Sequence, residues 1–294
     1  MLLTALDVFL LLYLFDRGVR TLEAVTFALV LLIGGCFAYN LALAQPELGA
    51  VLSGILPKGD VLSNGTMLWL AVGIVGATVM PHNLYLHSSL VRTREVGPTE
   101  DAKRTAIACA TIDSTGALLF ALFINGSILV LSAATFFTRG YNDVTELQQA
   151  HQLIAPVLGA SGAAVAFAVA LLASGFASTV TATLAGQVVM EGFLHRTLPP
   201  WVRRFATRAI AIVPAMVITA AYGESGTATL LIASQVVLSL QLPFALVPLV
   251  RFTTSRAVMG NLAAPRWLGA LAWACCSVIV LLNLTMLASL LFSH

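Results

Sequence analysis

Residues 66–91 read TMLWLAVGIVGATVMPHNLYLHSSLV. The stretch is apolar and long enough to cross a hydrocarbon core about 30 Å thick, which takes roughly 20 residues of helix. A smooth helix is not expected. Pro81 has no amide hydrogen and its ring crowds the preceding turn, while Gly73 and Gly76 weaken the helix ahead of it, which predicts a kink or unwinding near Ala77 to Met80. Carbonyls freed inside a membrane must be satisfied by protein, water or an ion, and transporters place such broken helices at the bilayer midplane.

The rest of the chain matches this reading. Its 294 residues are 59% hydrophobic and 10% charged, against roughly 25% charged in a soluble domain. Eight apolar segments are read, at 1–15, 21–44, 66–91, 105–137, 155–190, 202–222, 226–249 and 265–292, separated by short polar connectors. They predict an all-α, polytopic membrane bundle in contact with the lipid bilayer. Barrel strands would show dyad alternation, which these continuous runs lack.

Orientation follows from the basic residues. Connectors 16–20, 92–104, 191–208 and 250–266 hold thirteen of the fifteen Lys and Arg, and only Lys58 and Arg139 lie in the alternate set. The positive-inside rule makes the first set cytoplasmic, so Met1 would start outside at a short helix without a basic flank. An amino-terminally truncated chain is expected on that ground. A net charge of +2 without a basic tail excludes nucleic-acid binding as a theme. Cys36, Cys109, Cys275 and Cys276 form no CxxC or Cys/His cluster and read as packing residues. HExxH, GxSxG, P-loop and GxGxxG signatures are absent, so no enzyme and no bound cofactor is expected.

At the predicted break a thioether, Met80, stands two residues from an imidazole, His82. Sulfur favours transition metals over Mg²⁺ and Ca²⁺. His82 suits either metal binding or proton carriage near neutral pH. Asp113 and Asn125, twelve residues apart in the fourth segment, stand about 18 Å apart along a helix and cannot share one site. Each is a candidate path-lining residue or an interhelical hydrogen-bonding group. Gln235, in SQVVLSLQLPFALVPL (234–249), offers a carbonyl oxygen for a metal or an amide for helix packing.

GATVMPHNLYLHSSLV, Gly76 to Val91, resembles the sixth helix of the Nramp family of proton-coupled Mn²⁺ and Fe²⁺ transporters, and MPHN is specific in this setting. SQVVLSLQLPFALVPL is similar to that family's tenth helix, and DRGVRTLEAV, 16–25, to the link between its fourth and fifth. The resemblance implies a LeuT-like inverted-repeat fold in which the eight segments correspond to helices four to eleven. Residues 1–44 would end the first repeat, 66–249 form the second, and 265–292 add a further helix. It also implies a multi-pass plasma-membrane protein with metal ion and protons as its transported partners. Met80 would give its sulfur and Ala77 its carbonyl to the metal, with Gln235 joining the shell. His82 would lie on the proton route or inner gate, and Asn125 would line the path. The family's Asp-Pro-Gly-x-Asn motif does not occur here, so the anionic half of the site is expected on helices that this sequence does not contain. Two other readings stay open: a LeuT-like carrier of an organic solute, and a non-transporting membrane subunit.

Overall fold

The computed structural model describes residues 19–55, 64–141, 144, 146–194 and 200–292. Their regular structure is helical throughout: α1 (Val19–Ala44), α2 (Leu48–Gly54), α3 (Gly65–Thr78), α4 (Pro81–Arg92), α5 (Glu100–Thr135), α6 (Leu147–Leu158), α7 (Ser161–Leu194), α8 (Pro200–Thr254) and α9 (Arg266–Phe292). Single turns at Phe137–Arg139, Arg256–Met259 and Gly260–Leu262 join some of these. Among the described residues, six stretches are long and apolar enough to cross a membrane: Arg20–Ala44, Gly65–Arg92, Glu100–Arg139, Ser161–Met190, Thr229–Thr254 and Arg266–Ser289.

The first apolar segment, 1–15, lies outside the described residues. Segments 202–222 and 226–249, expected to be separate, belong to one uninterrupted helix, α8. The junction at 223–226 holds Gly223 and Gly226 but no proline. A glycine costs a helix only about 1 kcal/mol, which weakens it without ending it. The sequence reading also passed over α6 as a separate connector helix and merged its last residues with the segment at 155–190. This helix stops at Gly159, whose φ of 68° is a left-handed cap, and the Arg139 guanidinium donates to the Val157 carbonyl in its last turn.

The chain divides into two compact units, one of residues 1–56 and 105–184, the other of 57–104 and 185–294. The first is built on Ile33 and Phe37 of α1, Ile124 and Leu131 of α5, Ile154 of α6 and Phe167 of α7. Phe37 and Phe167 meet edge to face, with centroids 6.4 Å apart at 89°, the arrangement that ring quadrupoles favour. In the second unit α8 packs against α3, α4 and α9. Leu68 and Val72 of α3, Val236 of α8 and Met286 of α9 form its buried centre. Residues 68, 72 and 76 recur at helical spacing, so Gly76 continues the stripe that α3 turns towards its core.

Candidate metal site

The break is set by local chemistry on both sides. Asn64 starts α3, its Oδ1 accepting from the amides of Thr66 at 3.0 Å and Met67 at 3.3 Å, as an N-cap does. At the other end, the Val79 amide donates to the Val75 carbonyl at 2.9 Å and is the last to follow the helix. Val79 then leaves helical geometry, with φ −110° and ψ 76°. Met80 is extended, with φ −74° and ψ 121°, because the proline after it disfavours the helical region. Pro81 opens α4, where a missing amide hydrogen costs nothing.

The same proline deprives Ala77 of the donor its carbonyl would otherwise have. No backbone hydrogen bond to that carbonyl forms among the described residues. Met80 is held from below: the Asn83 amide donates to the Met80 carbonyl at 3.1 Å, and the Asn83 side-chain nitrogen lies 3.6 Å from the Met80 sulfur. Neither bond caps α4 through the Met80 side chain: the sulfur accepts from the Asn83 side chain, not from a backbone amide of the first turn. The contact engages one of the two lone pairs of the sulfur and so competes with a metal for it. Replacing Asn83 with leucine is therefore expected to tighten binding of the soft ion Cd²⁺ by about twofold, in keeping with the small net worth of one hydrogen bond. Isothermal titration of the purified variant checks it; weaker Cd²⁺ binding would mean that Asn83 aims the sulfur rather than competing for it.

Gln235 reaches this region through Gly76. A Cβ added there would overlap the Gln235 carbonyl oxygen and come within 2.9 Å of the Ser239 amide nitrogen. Only a hydrogen side chain lets α3 lie so close to the 235–239 turn of α8, one residue before Ala77. The Gln235 Oε1 atom is buried and has no hydrogen-bond partner; its Nε2 lies 3.5 Å from Ser234 Oγ. Asn40 and Thr135, in the first unit, and Gln187 also bury unpartnered polar atoms. Gln235 differs from all three in having its backbone against Gly76.

The candidate groups are a carbonyl without its helical donor in the last turn of α3, a soft sulfur at the start of α4 and an unpaired amide oxygen on α8, which packs against both. None carries a formal charge. They suit discrimination by softness, while Coulombic affinity for a dication must come from other groups. Among the described residues no cluster of three or more His, Cys, Asp and Glu exists that could hold a metal by itself. His82 is half-buried in the first turn of α4, and His87 is exposed. Asp113 and Asn125 are exposed on α5, in the other unit. The sequence reading missed Asn83 as a partner of Met80, and it missed Ser239 and Asn283, which are joined by two buried hydrogen bonds. The one signal for the last pair was Pro243, four residues beyond Ser239.

The family model described as natural resistance-associated macrophage protein-like, Nramp, matches residues 1–289. The divalent metal cation transporter MntH of Xanthomonas campestris is 59% identical over 285 residues, 97% of this chain and 64% of that protein. That of Agrobacterium fabrum is 57% identical over 286 residues, 97% of this chain and 62% of that protein. This chain therefore spans just under two thirds of the length of these relatives. A crystal structure of the Eremococcus coleocola manganese transporter, in complex with an aromatic bis-isothiourea substituted compound, superposes with a TM-score of 0.82 at 35% identity. It matches 98% of this chain and 63% of that one. The all-helical, LeuT-like fold expected from the sequence is the fold of these transporters, and the relatives are named as transporters rather than enzymes.

Proposed function

The chain belongs to the Nramp family, and from that premise we propose that it serves proton-coupled uptake of divalent transition metal ions, Mn²⁺ and Fe²⁺, across the plasma membrane. The observation that carries the proposal is the break at Val79 and Met80, which puts a thioether beside a carbonyl that Pro81 has deprived of its helical donor. Met80 supplies selectivity, Ala77 its carbonyl oxygen and Gln235 its Oε1. The names of the relatives, divalent metal cation transporters, support the same class of substrate. Asn125 and Asp113 enter the proposal as path-lining positions. Residues 66–249 are read as the second repeat of the fold, following the end of the first at 1–44, with 265–292 as an added helix.

Proteoliposomes containing the chain test the proposal. Mn²⁺ should enter, faster when the outside is acidic, and Mg²⁺ should compete poorly. Competition by amino acids would instead favour a carrier of organic solutes, and absence of flux under any gradient would favour a non-transporting subunit.

His82 is assigned to the proton route or inner gate. It is the second residue of α4, just after the break, and imidazole is the one side chain that ordinarily changes charge between about pH 5 and 8. His82→Ala is expected to flatten the dependence of Mn²⁺ uptake on pH across that interval. An unchanged profile would remove His82 from the proton route.

A further inference from the structure

Pro81 and Pro243, both in the second unit, each deprive a carbonyl of its helical donor, and the protein treats these two carbonyls differently. Pro81 does so at Ala77, where no backbone donor answers. Pro243 does so at Ser239, where the Asn283 side chain of α9 donates from Nδ2 to the carbonyl at 2.9 Å. Ser239 Oγ returns the interaction by donating to Asn283 Oδ1 at 3.0 Å. Both residues are almost fully enclosed, at 1% and 4% exposure. Every polar atom of the Asn283 acceptor and donor pair that faces Ser239 is thereby used, in a region otherwise built of Leu68, Val72, Val236 and Met286.

The position of this clamp gives it a consequence for the metal. Ser239 lies one helical turn after Gln235, and its amide is the helical donor to the Gln235 carbonyl. Gly76 presses on that same pair of backbone atoms. The 235–239 turn is thus pinned by Gly76 of α3 and by Asn283 of α9, and from it extends the Gln235 side chain with its buried, unpartnered oxygen. We propose that Asn283 is a positioning residue for the metal site: by closing the gap left by Pro243 it fixes the turn that presents Gln235. The inference rests on the reading of Gln235 as a metal ligand.

Mn²⁺ titrations of the purified protein, followed by the electron paramagnetic resonance signal of free Mn²⁺, provide the test. Gln235→Leu and Asn283→Leu are each expected to weaken binding about tenfold, the equivalent of one buried polar interaction lost. The double variant should be no weaker than the poorer single, because both changes remove one contact to the ion. Ser239→Ala, a milder change that also serves if Asn283→Leu does not fold, should weaken binding about threefold with the same lack of additivity. Thermal unfolding supplies a readout specific to the clamp. Asn283→Leu should lower Tm in the parent protein and much less in the Pro243→Ala background, where residue 243 regains an amide for the Ser239 carbonyl.

Unchanged Mn²⁺ binding in Asn283→Leu, or losses that add to those of Gln235→Leu, would overturn the positioning role. Unchanged binding in Gln235→Leu would overturn the ligand reading and the positioning role with it. Because the unfolding cycle does not involve the metal, it tells that failure apart from an absent clamp.

Discussion

Met80→Ala is expected to cost discrimination before it costs uptake. In cells that express the protein, competition of Mn²⁺ uptake by Ca²⁺ and Mg²⁺ should rise by about tenfold, while uptake of Mn²⁺ alone falls less than about threefold. The asymmetry follows from softness. A thioether adds little for a hard ion, and the oxygen donors proposed at Ala77 and Gln235 would accept hard and borderline ions alike. Removing the sulfur leaves a site that has lost its means of refusal. Uptake assays with each competing ion measure this directly, and equal loss for every ion would show that Met80 is packing rather than a ligand.

Gly76→Ala should have the largest structural effect of any single methyl group added to α3. The new Cβ would meet the Gln235 carbonyl and the Ser239 amide, which are backbone atoms of a packed helix with no rotamer to yield. Overpacking of this kind costs about 1–3 kcal/mol, and here the strain falls on the turn that carries Gln235. Loss of Mn²⁺ binding and a lowered Tm are both expected. One turn earlier lies an internal control. A Cβ at Gly73 would be 3.5 Å from Ile232 Cγ2, an ordinary contact, so Gly73→Ala should leave both readouts near the parent values. Similar effects at the two positions would mean that helix propensity, not close approach, explains Gly76.

The comparison of these glycines also marks how far the sequence could be read. The break was legible because Pro81 acts on its own neighbours: it fixes Met80 as extended and takes the donor from Ala77 without help from any other helix. Gly76 was legible only as a weak point in α3. Its actual use, letting α8 approach, depends on Gln235, far along the chain, and no local pattern announces that pairing. The same holds for Asn283, a single amide in an apolar helix whose partner becomes visible only when α9 and α8 are packed. Asn83 stands between these cases. Its place three residues after Met80 puts the two side chains one helical turn apart, and that spacing was available from the sequence alone. The connector expected near Gly223 failed for a different reason: glycine lowers helix stability but does not block the backbone bonds as proline does.

The central claim is that Met80 gives its sulfur to a transition metal at the break between α3 and α4. Cd²⁺ X-ray absorption on the purified protein tests it most directly, since sulfur and oxygen neighbours scatter distinguishably and Cd²⁺ is a soft probe. A sulfur neighbour that is present in the parent protein and lost in Met80→Ala is the predicted result. A shell of oxygen and nitrogen alone, or a sulfur signal that survives Met80→Ala, would contradict the account.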